Sequence, residues 1–284
     1  MAAFDWYQGT VRTDPDELIG AVLELDPHAE LSHAKGLQGY AHRTLIRANG
    51  DSLGEVWHGG THAYPHAQFT SEAAIAGSQL LRDRFDHTVS RVDAREDFGD
   101  ADAFDKLMPS LLRAASKHRV QVDTRGDHLL RKEARTVYLG APSSAVRCRQ
   151  YDKAAQLRAE FANEPAKLLE VPAHLTRLEV QVRPQSGPIR KTLTELNPLE
   201  IMGSSQWMRD IWRDISGLEL ECVQVTKPWR ASDDDRAWQY LLGAFGPLLR
   251  RRMEDHGSWA AFGAQIGHDL DERAAAEAKL KRGH

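Results

Sequence analysis

Ser90-Arg91-Val92-Asp93-Ala94 and Thr176-Arg177-Leu178-Glu179-Val180 share one form: hydroxyl residue, Arg, aliphatic residue, carboxylate, small aliphatic residue. Side chains alternate along a strand, so Arg91 and Asp93 share one face while Val92 and Ala94 occupy the other. Arg177 and Glu179 stand the same way opposite Leu178 and Val180. Two strands that each bury an aliphatic face and present an Arg with an acid predict an α+β fold made of two related halves. If the two strands are neighbours in one sheet, their carboxylates converge.

The chain around this echo alternates strands and helices. Residues 4–11 predict a strand, and Asp14-Pro15-Asp16-Glu17, with its capping residue, early Pro and early acids, opens a helix to about Leu25. Strands are expected near 36–46, 54–58 and 63–70, with Asn49-Gly50-Asp51 as a tight hairpin turn. Helices follow over 71–84 and 100–117, the first echo strand lying between them over 88–98. Strands over 119–124, 135–140 and 145–150, a helix over 154–161, and the second echo strand over 176–183 complete this region. After Pro184 the character becomes helical, over 193–215, 233–254 and 270–281. The expected organisation is therefore an α+β domain over 1–185 followed by a helical region over 186–284.

Composition bounds the function. A chain of 284 residues with net charge −4 and 41% apolar residues is an ordinary globular protein with length enough for a full core. No apolar run approaches the roughly 20 residues of a membrane helix. Cys148 and Cys222 form no disulfide framework, and the opening MAAFDWYQGT lacks the marks of a secretory signal, so the cytoplasm is the expected compartment. The modest net charge conceals a basic stretch: between Arg113 and Arg158 eleven basic residues face four acids. Arg131, Lys132, Arg135 and Arg147 belong to it, and such a stretch suits phosphate contacts. A solvated basic surface is the plainer explanation.

Two clusters carry candidate chemistry. The acids Asp93 and Glu179, with Asp97 behind them, are either salt-bridge partners of nearby arginines or a site for a hard metal ion; Asp97 lies about 13 Å along the strand from Asp93, too far for one ion to join both directly. The second cluster is Arg147-Cys148-Arg149-Gln150-Tyr151-Asp152-Lys153. Strand alternation puts Tyr151 on one face with Arg147 and Arg149, cations that favour a phenolate and can hold a phosphodiester. A packed tyrosine among solvated cations is the alternative. His58, His62 and His66 recur every four residues, but Gly59-Gly60 and Pro65 predict a turn there instead of a metal-binding helix. Trp207, Trp212, Trp229, Trp238 and Trp259 are expected to be core or subunit contacts of the helical region.

Asp5-Trp6, Ser90-Arg91-Val92-Asp93-Ala94-Arg95-Glu96-Asp97, Thr136-Val137-Tyr138-Leu139-Gly140, Arg149-Gln150-Tyr151-Asp152-Lys153 and Arg177-Leu178-Glu179-Val180, in that order, resemble the replication initiation factor family. That family holds rolling-circle replication initiators of plasmids and filamentous phages and relaxases of integrative conjugative elements. The resemblance runs from about residue 4 to 184 and lies in the order and spacing of short motifs. It implies an HUH-like antiparallel sheet nuclease that nicks origin DNA, single-stranded or in a hairpin, with a tyrosine that stays joined to the 5′ phosphate, leaves a 3′-OH primer and rejoins the strand at termination. On this chain Tyr151 would be the nucleophile, with Tyr138 in reserve. Asp93, Glu179 and Asp97 would hold Mg²⁺ or Mn²⁺, Lys153 and Arg149 would position phosphate oxygens, and Arg91, Arg131, Lys132, Arg135, Arg147 and Arg177 would bind DNA. The His-hydrophobic-His triplet of standard HUH enzymes is absent from the sequence. A host helicase and a second copy of the chain are partners the resemblance allows. A DNA-binding regulator without cleavage and a metal-dependent phosphohydrolase without a covalent intermediate are the competing classes.

Overall fold

The computed structural model describes residues 2–223, 225 and 233–282. Its strands are β1 (Ala3–Val11), β2 (Ala29–Lys35), β3 (His42–Ala48), β4 (Asp51–His58), β5 (His66–Thr70), β6 (His87–Phe98), β7 (Val122–Arg125), β8 (Thr136–Leu139), β9 (Val146–Asp152) and β10 (Thr176–Val182). The helices are α1 (Pro15–Leu23), α2 (Ala73–Arg84), α3 (Ala103–His118), α4 (Lys153–Glu160), α5 (Pro165–Glu170), α6 (Gly187–Thr192), α7 (Pro198–Met202), α8 (Gln206–Ser216), α9 (Asp233–His256) and α10 (Trp259–Arg282). Local chemistry accounts for the boundaries. The Asp14 carboxylate accepts from the Asp16 N–H with Pro15 as the first residue of α1, and Asn197 and Glu200 form a reciprocal capping box on α7.

All ten strands form one antiparallel sheet in the order β2-β3-β4-β5-β1-β6-β10-β9-β8-β7. Val92, Ala94, Leu178, Val180, Val182, Cys148, Val137 and Leu139 point from its central and right-hand strands into a continuous apolar core. The predicted α+β class and antiparallel sheet are those of the structure, with helical α9 and α10 at the C-terminal end.

The two halves are visible in the topology. Helix, antiparallel meander, helix and central strand follow one another as α1, β2–β5, α2 and β6, and again as α3, β7–β9, α4–α5 and β10. The echo offsets equivalent residues by 86 positions, and Ala94 of the first motif pairs with Val180, its own counterpart, in the β6–β10 ladder. A local two-fold through that pair therefore relates Arg91 to Arg177 and Asp93 to Glu179.

Division into compact units does not follow the expected boundary at 185. One unit spans 1–228 and the other 229–284. The physical reason is burial: Leu193, Ile201, Met202, Met208, Ile211 and Trp212 from the α6–α8 region belong to the core of the first unit. Among the expected tryptophan contacts, Trp212 is buried and Trp207 packs against this core, Trp238 and Trp259 are exposed, and Trp229 lies outside the described residues.

Candidate active site on the polar face of the sheet

The face opposite the core carries rows of paired residues. Asp97, Arg177, Tyr151 and Thr136 lie side by side on β6, β10, β9 and β8; Arg95, Glu179, Arg149 and Tyr138 form the next row. Trp6, Asp93, Gln181 and Arg147 form the third, across β1, β6, β10 and β9. Glu179 stands at the centre of this lattice, flanked by Arg95 and Arg149 and diagonal to Asp93, Asp97 and Tyr151. Cross-strand and diagonal neighbours at these spacings interact directly.

Asp93 and Glu179 do converge, both with side chains almost wholly buried at 1% and 2% exposure. Each also has an arginine. Arg91 holds the Asp93 carboxylate through Nε at 2.9 Å and through Nη2, and Gln181 Nε2 donates to it at 3.3 Å. Arg149 Nη2 donates to Glu179 Oε2 at 2.6 Å. Burial raises the Glu179 carboxyl above the ordinary carboxylate range; Arg149 opposes this and the Asp93 charge adds to it. A cation between the two acids would relieve that like-charge burden, and two carboxylates completed by water and a phosphate oxygen form a donor set Mg²⁺ and Mn²⁺ accept. The pair therefore fits an ion that displaces or shares the arginine contacts. Asp97 does not join the pair: its carboxylate takes Arg177 Nε at 2.7 Å, Arg177 Nη2 at 2.8 Å and Arg95 Nη1 at 2.7 Å. Among the described residues no group of three or more His, Cys, Asp or Glu is arranged for a metal ion.

Tyr151 is 6% exposed, and its hydroxyl lies 3.5 Å from Glu179 Oε2. The Arg149 guanidinium sits 4.6 Å from its ring centroid. Sequence reasoning expected the cations to favour the phenolate. Instead burial raises the Tyr151 pKa well above its ordinary value, the Glu179 charge adds to the rise, and Arg149 and Arg177 only moderate it. The phenol is therefore protonated at neutral pH, with Glu179 as its nearest acceptor. Lys153, first residue of α4, has its ammonium at 3.3 Å from Gln156 Oε1, and burial, then the Arg177 charge, lowers its pKa.

Beside this lattice a cavity of about 230 Å³ is lined by Arg91, Arg147, Arg149, Arg183, Tyr138, Glu179 and Gln181, with Cys148. Arg147 stacks over Tyr138 at 4.1 Å and Arg91 over Trp6 at 3.9 Å. The Nε groups of Arg147 and Arg149 are buried without a hydrogen-bond partner, a cost that an anionic acceptor would remove.

Four of the expected DNA contacts stand elsewhere. Arg177 is 4% exposed and spends its guanidinium on Asp97 and, at 2.6 Å, on Asp5. Arg135 stacks over Phe104 at 4.0 Å and binds Asp105 at 2.7 Å, and Lys132 lies 3.6 Å from Asp105. Arg131 is exposed in the loop joining β7 and β8. Asp5 and Arg183 were missed. Asp5 reaches Arg177 because the ladder between β1 and β6 shifts register between Phe4 and Trp6, which no pattern in the sequence announces. Arg183 was legible, since it continues the alternation of Arg177, Glu179 and Gln181. His58 ends β4, His62 lies in the following turn and His66 begins β5, the predicted non-helical arrangement.

Against protein-family models and against curated proteins the chain finds no match. Among solved structures it is similar to a rolling circle replication initiator protein from Geobacillus stearothermophilus, at 15% identity and a TM-score of 0.48 over 87% of this chain and 96% of that one.

Proposed function

We propose that the chain is a DNA strand transferase of the rolling-circle initiator type, in which Tyr151 attacks a backbone phosphate and starts replication at an origin. The observation that carries this reading is the arginine-lined cavity with two buried, partnerless guanidinium N–H groups beside a tyrosine aimed at a carboxylate. Arginines and aromatic rings on one sheet face suit a single strand, whose phosphates the cations hold while bases stack.

In the step itself, a bond forms between Tyr151 Oη and phosphorus and the bond from phosphorus to the 3′ oxygen breaks. The phenolic proton has Glu179 Oε2 as its nearest acceptor, and the departing 3′ oxygen takes up a proton to become the primer hydroxyl. Arg149, shared between Glu179 and the Tyr151 ring, holds both for the attack, while Arg91, Arg147 and Arg183 bind phosphate oxygens in the cavity. Asp93 and Glu179 would hold Mg²⁺ or Mn²⁺, which when bound supplies positive charge to the phosphate and offsets the Glu179 charge that raises Tyr151.

The test incubates the protein with Mn²⁺ and labelled single strands tiling the DNA beside its own coding region, followed by a denaturing gel. A covalent adduct with wild type and none with Tyr151→Phe, which still binds, is the expected result. Equal adduct formation by Tyr151→Phe removes Tyr151 from the chemistry, cleavage without adduct indicates a hydrolase, and binding with neither indicates a regulator.

A further inference from the structure

Loop 126–135 joins β7 to β8 and presents Leu129 and Leu130 at 89% and 90% exposure, leaving two adjacent large apolar side chains in water. The loop is built to hold them there. Gly126, at φ +87°, closes its base so tightly that a Cβ would lie 2.2 Å from the Ala134 carbonyl oxygen. The Asp127 carboxylate accepts the backbone N–H groups of Leu129, Leu130 and Arg131 at 3.0, 2.8 and 3.0 Å. Arg135, stacked on Phe104 and bound to Asp105, anchors the far end.

Two further observations select the occupant. Arg131 and Lys132 follow the leucines directly and Arg125 precedes the loop; Arg131 is exposed, while Arg125 and Lys132 lie 3.8 and 3.6 Å from Asp123 and Asp105. The loop also adjoins the site, because the Asp152 N–H, one residue beyond Tyr151, donates to the Arg135 carbonyl at 3.0 Å, and Arg125 lies 5.5 Å from the ring centroid of Tyr138 in the cavity wall. Apolar side chains on a cationic mount can enter a base step and unstack it while the cations hold the flanking phosphates.

We infer that Leu129 and Leu130 form a wedge that opens duplex DNA next to Tyr151, so that the strand to be transferred reaches the cavity unpaired. This rests on the DNA reading above. The experiment uses the full chain with three fluorescein-labelled probes of one sequence, a single strand, a blunt duplex and a duplex with a single-stranded arm, plus 2-aminopurine at the junction base pair of the last. Wild type is expected to raise the 2-aminopurine signal. Leu129→Ser/Leu130→Ser, a change at exposed positions, is expected to abolish that rise and to weaken junction binding about tenfold while changing single-strand affinity less than about twofold. Leu129→Met/Leu130→Met is expected to retain opening. A junction signal unchanged in the serine variant overturns the inference, as does a loss of self-association by light scattering with the signal intact. Wild type that binds none of the probes overturns the DNA reading itself, and the wedge with it.

Discussion

Arg177→Met tests whether the polar lattice is held by its buried ion pairs. The Arg177 guanidinium gives two hydrogen bonds to Asp97 and one to Asp5, and its side chain is 5% exposed. Removing one partner of a buried pair costs about 3–5 kcal/mol because the other charge is left uncompensated. Asp97 is partly exposed and both acids keep Arg95, at 2.7 and 3.4 Å, so the lower end, about 3 kcal/mol, applies here. For a unit of this size that lowers Tm by about 6–12 °C in a circular-dichroism melt. The pH dependence supplies a second readout. Burial pushes the Asp97 carboxyl up, but the Arg177 hydrogen bonds and the charges of Arg177 and Arg95 outweigh it and hold it below the ordinary range. Its contribution is therefore present above the unfolded carboxylate pKa, about 4, and is lost as pH falls below it. The Tm gap between wild type and Arg177→Met is expected to narrow toward pH 3. A gap below about 2 °C at neutral pH, or one that widens in acid, would refute the reasoning.

Four other outcomes follow from the structure. His66 is buried beside His62 and Arg190, and burial, then those charges, lowers its pKa to about 4, so wild type loses roughly 3 kcal/mol of stability as pH falls from 6.5 to 4; His66→Gln is expected to flatten that slope in urea titrations. Gly77→Ala, ordinarily favourable inside a helix, would put a Cβ 2.2 Å from Phe69 Cγ and is expected to destabilise by about 1–3 kcal/mol; a gain in Tm would contradict the packing. Arg147→Ala is expected to lower the salt dependence of DNA binding by about one counterion with little change in Tm, whereas Arg135→Ala should lower Tm and leave the salt slope alone. Asp93→Asn and Glu179→Gln should abolish Mn²⁺-dependent adduct formation in folded protein, while Asp97→Asn should retain it; retention by all three would argue against the acid pair.

The sheet was legible where its pattern repeats. The echo identified the two central strands, which residues face the core, and the meeting of Asp93 with Glu179, because alternation and register are local and the motif occurs twice. Elements without an apolar pattern escaped: β2, Ala-Glu-Leu-Ser-His-Ala-Lys, is almost wholly exposed at the sheet edge, and α5 buries no residue. The fates of individual arginines were also hidden. Arg91, Arg147 and Arg177 look alike in sequence, yet a register shift in β1 brings Asp5 to Arg177 and makes it a framework residue. Tyr151 shows the same limit: its flanking cations are plain in the sequence, but the burial that dominates its ionisation arises from strands distant along the chain.

The location of the acids within the sheet also sets how each part of the site breathes. Asp93 and Glu179 are carried by β6 and β10, strands six and seven of ten, each paired with a neighbour on both edges, whereas β7 is the outermost strand. Amide deuteration should consequently reach the β7–β8 hairpin long before the acid pair. Under the proposed function, strand opening would fall to a margin that opens without global unfolding, and bond-making to a centre that exchanges only when the whole sheet comes apart.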